Sequence, residues 1–206
     1  MAPSIVAAAI PYAAVGAGLY AFGSGWAAIL LYHAGVVLAL SITGWRVPLR
    51  YAVSGWVPAA AVAFAAVAAL AGTALYVLWP LVDATPAGLH ARLEQFGLGG
   101  TAWVLFALYY STVHPFLEEL FWRGRGDGQN TALLWRDAAF AGYHVPVLWF
   151  FISPAWIAAA FVLLMAASWT WRWTARRFGG LSVPLISHAA ADVSIVLAAT
   201  LIFRAG

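Results

Sequence analysis

The chain has 206 residues, 65% of them hydrophobic and 8% charged. A soluble domain is roughly 45–50% apolar and about 25% charged, so a soluble core is excluded and a polytopic membrane protein is expected. The net charge of +3 is small, and its positive part comes from arginine alone, spread over connections, which suits membrane orientation and not a nucleic-acid partner.

No cysteine is present, so disulfides and thiolate metal sites are excluded. No repeat, low-complexity tract or polar linker divides the sequence. The expectation is a single all-α transmembrane domain, residues 1–206, built as a polytopic helix bundle of about seven spans. Residues 1–100 supply N-terminal helices and an interfacial segment, and residues 101–206 supply the helices with the motifs described below.

A spanning helix needs about 20 mostly apolar residues. Seven segments fit or nearly fit: 4–22, 25–44, 56–80, 101–123, 131–152, 154–175 and 183–204. The first lacks the positive n-region of a signal peptide and is expected to be retained as a membrane helix. Ser153-Pro154 and Ser182-Val183-Pro184 read as helix starts, with serine as N-cap and proline in the first turn. Trp26, Trp45, Trp56, Trp79, Trp103, Trp135, Trp156 and Trp173 lie near segment ends, as in interfacial aromatic belts.

Residues 85–97 differ. Thr85 can cap a short helix, Pro86 can start it and Gly97 can stop it. Leu89, Leu93 and Phe96 share one face, which suits a helix lying in the interface or a solvated turn.

Arginine placement sets the orientation. Arg46 and Arg50, then Arg123, Arg125 and Arg136, then Arg172, Arg176 and Arg177 all fall on even-numbered connections. Those connections are expected on the cytoplasmic side, with the N-terminus inside. Arg204 is the dissenting residue.

Ionisable groups at membrane depth are costly and mark function. Here they are His33, His114, Glu118, Glu119, His144, His188 and Asp192. His114 and Glu118 are four apart, as are Glu119 and Arg123, Phe140 and His144, and His188 and Asp192, so each pair shares a helix face. Glu119 can therefore pair with Arg123. Glu118, rotated by about 100°, faces no cation on its own helix. Counted along the helices, Glu118 lies about 7 Å inside the edge, His188 about 6 Å and His144 about 10 Å. His114, next to Pro115, suits a hydrogen bond to a freed carbonyl, and His33 suits packing.

A glutamate with two histidines offers two chemistries. It can activate water as a general base while the imidazoles stabilise the oxyanion or protonate the leaving amine. Alternatively Glu118, His144 and His188 can hold zinc that activates the water. The first, with no cofactor, is favoured. Asp192 can orient His188 or hold a substrate backbone.

At these residues the sequence resembles the CPBP intramembrane proteases. These include the CAAX prenyl endopeptidases of the Ras-converting type and bacteriocin-processing or immunity relatives. The family motifs Glu-Glu-x-x-x-Arg, Phe-x-x-x-His and His-x-x-x-Asn/Asp read here as Glu118-Glu119-Leu-Phe-Trp-Arg123, Phe140-Ala-Gly-Tyr-His144 and His188-Ala-Ala-Ala-Asp192. The resemblance implies an intramembrane glutamic endopeptidase. Glu118 would be the water-activating base, Glu119, Arg123 and Phe140 its support, and His144, His188 and Asp192 the remaining catalytic groups. Asp192 stands where the eukaryotic prenyl-protein enzymes have Asn.

The implied partners are a membrane-associated protein or peptide substrate and the lipid bilayer. The lack of lysine and the wealth of Ala, Arg and Trp point to a prokaryotic plasma membrane and away from a prenylated substrate. Two other functions use the same residues: a metal- or proton-binding transporter, and a non-catalytic immunity or scaffold protein of the same fold.

Overall fold

The structure is a computed structural model that describes residues 5–82, 88–125 and 131–205. Eleven α-helical stretches follow in order among these residues. They are α1 (Ile5–Ala8), α2 (Ile10–Gly16), α3 (Gly25–Thr43), α4 (Arg46–Ala52), α5 (Pro58–Val82), α6 (Gly88–Gln95), α7 (Thr101–Trp122), α8 (Trp135–Gly142), α9 (Val145–Leu148), α10 (Pro154–Phe178) and α11 (Ser182–Ala205). A π-helical turn, Ala17–Ala21, continues α2. No β-strand occurs among the described residues.

Four of these helices are long and apolar enough to cross a membrane: α3, α5, α10 and α11. Exposed Leu70, Leu163 and Leu197 cover their outer faces with hydrocarbon, as lipid contact requires. Seven uninterrupted apolar spans are therefore not all seen. The first segment, Ile5–Ala21, is shorter than a full span. Helix α7 is long, but His114, Glu118 and Glu119 dilute its apolar character. Segment 131–152 is not one helix; it breaks into α8 and α9. Pro146 lacks the N–H that a continuous helix would need there.

The helix ends meet at two ends of the bundle. At one, the Leu181 amide donates to the Tyr51 carbonyl at 2.8 Å, and Arg125 donates to the carbonyls of Thr43 and Gly44. At the other, the Gly25 amide donates to the Phe96 carbonyl at 3.0 Å and Ser153 to Val82 at 3.3 Å. Tyr20 packs on Phe150 there, and His90 stacks on Phe203.

Helices α5 and α11 run side by side in the same direction. The Ser187 hydroxyl donates to the Phe64 carbonyl at 3.2 Å, and the Gly72 amide reaches the Ser194 hydroxyl at 3.1 Å. A Cβ at Gly72 would collide with the Ser194 backbone. Lipid tails are as apolar as leucine, so such close backbone approach replaces the hydrophobic drive between helices.

The expected caps are partly realised. Ser24, not among the expected caps, caps α3 by accepting the Ala27 amide at 3.2 Å. Ser153 occupies the N-cap of α10, yet its side chain makes no cap bond. The Ser182 hydroxyl instead donates to the Ser54 carbonyl at 2.7 Å, tying α11 to the turn after α4. Thr85 and Pro86 lie outside the described residues. Gly97, at φ 70°, does follow the end of α6, and Leu89, Leu93 and Phe96 are its buried face. Trp103 is buried rather than interfacial, donating to the Thr200 hydroxyl at 3.0 Å.

Candidate active site

Adjacent helical residues diverge by about 100°, so Glu118 and Glu119 face different neighbours although both are fully buried. On Glu118, the two carboxylate oxygens are treated differently. Oε1 accepts the hydroxyls of Tyr32, at 2.6 Å, and Tyr143. The indole of Trp122 donates to the Tyr32 oxygen at 3.1 Å and fixes that phenol. Oε2 accepts no hydrogen bond from any described residue. It faces the Nε2 atoms of His114 and His188, each 3.5 Å away. That exceeds the usual 2.7–3.2 Å of a direct N–H···O bond.

Glu119 lies in a polar chain. Its Oε1 accepts from Arg123 Nη1 at 2.6 Å and from His188 Nδ1 at 2.9 Å. Arg123 Nη2 donates to the Ser168 hydroxyl at 2.9 Å, which donates to Asp137 Oδ1 at 3.0 Å. Asp137 also receives Arg172 Nη2 at 2.8 Å and the Leu134 amide at 2.9 Å. The guanidinium of Arg123 sits over the rings of Phe140, at 4.8 Å, and Trp171, at 5.1 Å. Buried charges persist only when paired and hydrogen-bonded, and this chain provides both.

His144 stands at the break between α8 and α9. Its amide turns to the Ala141 carbonyl, leaving the Phe140 carbonyl without its i+4 amide. The ring takes that place: Nδ1 donates to the Phe140 oxygen at 2.8 Å. In the neutral imidazole Nε2 is then an acceptor. Its ring centre is 4.0 Å from that of Tyr143, whose hydroxyl holds Glu118, and it lies within electrostatic reach of the Glu118 carboxylate.

The structure thus brings Glu118, His188, Glu119, Arg123 and Phe140 into one cluster, with His144 half-buried beside it. Asp192 lies one turn from His188. Its Oδ2 is 3.8 Å from His188 Nε2, in ion-pair range but beyond a direct hydrogen bond, and the ring's hydrogen bond goes to Glu119. His114 does not serve a freed carbonyl; it bonds His33 and faces Glu118. His33 is likewise more than packing, since it bonds both His114 and Tyr109. Tyr32, Tyr143, Ser168 and Asp137 were not singled out from the sequence. Only Tyr143 carried a signal, as the neighbour of a motif histidine.

The site is closed: Glu118 is 0% exposed and His188 3%. A separate groove of about 360 Å³ runs along the outside of α7 and α11, lined by residues that include Ser111, Pro115, Phe116, Leu185 and Ile186. No group of three or more His, Asp or Glu among the described residues is placed to hold a metal ion.

Residues 100–194 match the family described as type II CAAX prenyl endopeptidase Rce1-like. No curated protein and no solved structure matches the chain. The matched stretch begins one residue before α7 and ends two past Asp192, so it contains all three motifs and the cluster built from them. Residues 100–194, which carry all three motifs, are therefore similar to the CPBP/CAAX protease family.

Proposed function

We propose that this integral membrane protein is an endopeptidase in which Glu118 activates water against a peptide bond of a membrane-associated protein or peptide. The observation that carries the reading is the asymmetry of the Glu118 carboxylate. Two phenols hold Oε1 in place, and Oε2 faces imidazole nitrogens only.

In this reading water binds at Oε2 and gives its proton to Glu118 while its oxygen bonds to the scissile carbonyl carbon. The carbonyl π bond becomes an oxyanion, which His188 and His144 stabilise once protonated or bridged by water. Collapse re-forms the carbonyl and breaks the C–N bond. Glu118 returns its proton to the leaving nitrogen. Glu119 and Arg123 keep His188 in register, and Asp192 holds a position close to substrate. The reaction runs without a metal ion. Because the site is closed, substrate entry requires α7 and α11 to part, exposing Glu118 and His188 to the bilayer side.

The bundle ends support seven passages, with segment 131–152 crossing as an interrupted helix inside the protein, where such breaks are tolerated. Thr131 meets Trp169 in the second half of α10, whereas Phe151 packs near Phe96 at the opposite end. Arg46, Arg50, Arg123, Arg125, Arg176 and Arg177 gather at one end, which we assign to the cytoplasm of a prokaryotic cell.

The test compares membrane peptides from cells carrying the wild type or Glu118→Gln. A peptide that accumulates uncut only in the variant is the expected result. Identical peptide patterns, with both proteins folded and present, would assign the chain to a binding role instead.

A further inference from the structure

Two histidines outside the motifs, His33 on α3 and His114 on α7, are buried and joined. The Tyr109 hydroxyl lies 2.7 Å from His33 Nδ1, and His33 Nε2 lies 3.0 Å from His114 Nδ1. His114 Nε2 then faces Glu118 Oε2 at 3.5 Å. Four groups form one line from a half-buried phenol to the open oxygen of Glu118.

A neutral imidazole carries one N–H and one lone pair, so choosing one ring's tautomer chooses the next. The line has two polarities. In one, the Tyr109 O–H donates to His33 Nδ1, His33 Nε2–H donates to His114 Nδ1, and His114 Nε2–H points at Glu118. In the other, every proton is reversed and His114 turns a lone pair toward Oε2. An ionised carboxylate only accepts, so the second polarity sets two lone pairs against each other.

We propose that Tyr109 and His33 are positioning residues that hold His114 as an Nε2–H donor toward Glu118 Oε2. The inference rests on the reading of Glu118 as the base. Oε2 is then approached by the imidazole of its own helix and by His188 of α11, and the protons on the α7 side are set from a distance. The other groups around His114 are aromatic rings and His188: Tyr110 stacks at 4.5 Å, Tyr32 lies at 5.9 Å and His188 at 6.4 Å. Glu118 is the one acid in ion-pair range of His114 among the described residues.

The test is 15N NMR of the full chain, labelled at histidine and reconstituted in lipid bilayers. The chain has five histidines, so each ring can be assigned by single substitution. Wild type is expected to show His33 and His114 both as Nε2–H tautomers. Tyr109→Phe keeps the ring but removes the donor. It is expected to mix the tautomers at His33 and also at His114, which Tyr109 does not touch. Glu118→Gln is expected to shift both rings, since an amide can donate as well as accept. Nδ1–H tautomers at either ring in wild type, or a His114 signal unmoved by Tyr109→Phe, would overturn the proposal. No substrate is needed for this readout. Failure of the line therefore shows in a protein that still cuts its peptide, and failure of the protease reading shows as identical peptide patterns in wild type and Glu118→Gln with the tautomers as expected.

Discussion

Glu119 accepts His188 Nδ1–H at 2.9 Å on the same oxygen that receives Arg123 at 2.6 Å. One carboxylate oxygen therefore neutralises a buried arginine on α7 and fixes the tautomer of a histidine on α11. Its neighbour Glu118 is left free of any cation except imidazole. Glu119→Gln is expected to lower stability, because losing one member of a buried ion pair costs about 3–5 kcal/mol. It should also slow cleavage, because His188 loses its anionic anchor. Thermal unfolding and single-turnover cleavage on one preparation measure the two effects. Normal stability with no cleavage would assign Glu119 to the chemistry itself.

Tyr32 and Tyr143 both donate to Glu118 Oε1. A hydrogen bond to a charged group contributes about 1.5–3 kcal/mol, so Tyr143→Phe and Tyr32→Phe should each slow cleavage by roughly 10- to 150-fold. The double variant should lose more than the product of the two, because each single variant keeps one phenol on the carboxylate and the double variant keeps neither. Rates of the two single variants and the double variant supply this cycle. Wild-type rates in all three would mean that Oε1 needs neither phenol.

The polar chain beyond Arg123 is expected to be structural. Asp137→Ala removes the carboxylate partner of Arg172 and the acceptor of the Ser168 hydroxyl, and should cost about 3–5 kcal/mol. Ser168→Ala removes one bond on each side and should cost about 1–3 kcal/mol. Denaturant unfolding in detergent tests this ranking. A Ser168 effect larger than that of Asp137 would contradict it.

Chelation separates the two chemistries available to a glutamate with histidines. Strong chelators are expected to leave the cleavage rate of the wild type unchanged. Loss of activity restored by stoichiometric zinc would replace the metal-free reaction while leaving the protease reading intact.

Much of the site could be read from spacing because its motif residues lie on helices. The i,i+4 rule separated Glu118 from Glu119 and paired the latter with Arg123, as the structure has it. The same rule placed Asp192 beside His188, at 3.8 Å, within ion-pair range but beyond a direct hydrogen bond. What decided that histidine's partner was the packing of α11 on α7, a long-range contact with no local signature. Tyr32 was missed, and His33 was assigned to packing, for the same reason: they come from α3, some eighty residues before their partners. Helix length was legible where composition was uniform, in α5 and α11. It was not legible at 131–152, where apolar residues continued through a proline that ends hydrogen bonding.

The break at that proline has a consequence for how a membrane protein places a proton. A carbonyl stranded at such a break, away from lipid and water, must find a donor, and the nearest is the side chain of His144. The defect in the helix thereby writes a tautomer, leaving Nε2 available to the reaction. The carbonyl is that of Phe140, whose i+4 amide is that of His144, and that amide turns to Ala141 instead. The backbone of a residue thereby governs which nitrogen its own ring presents.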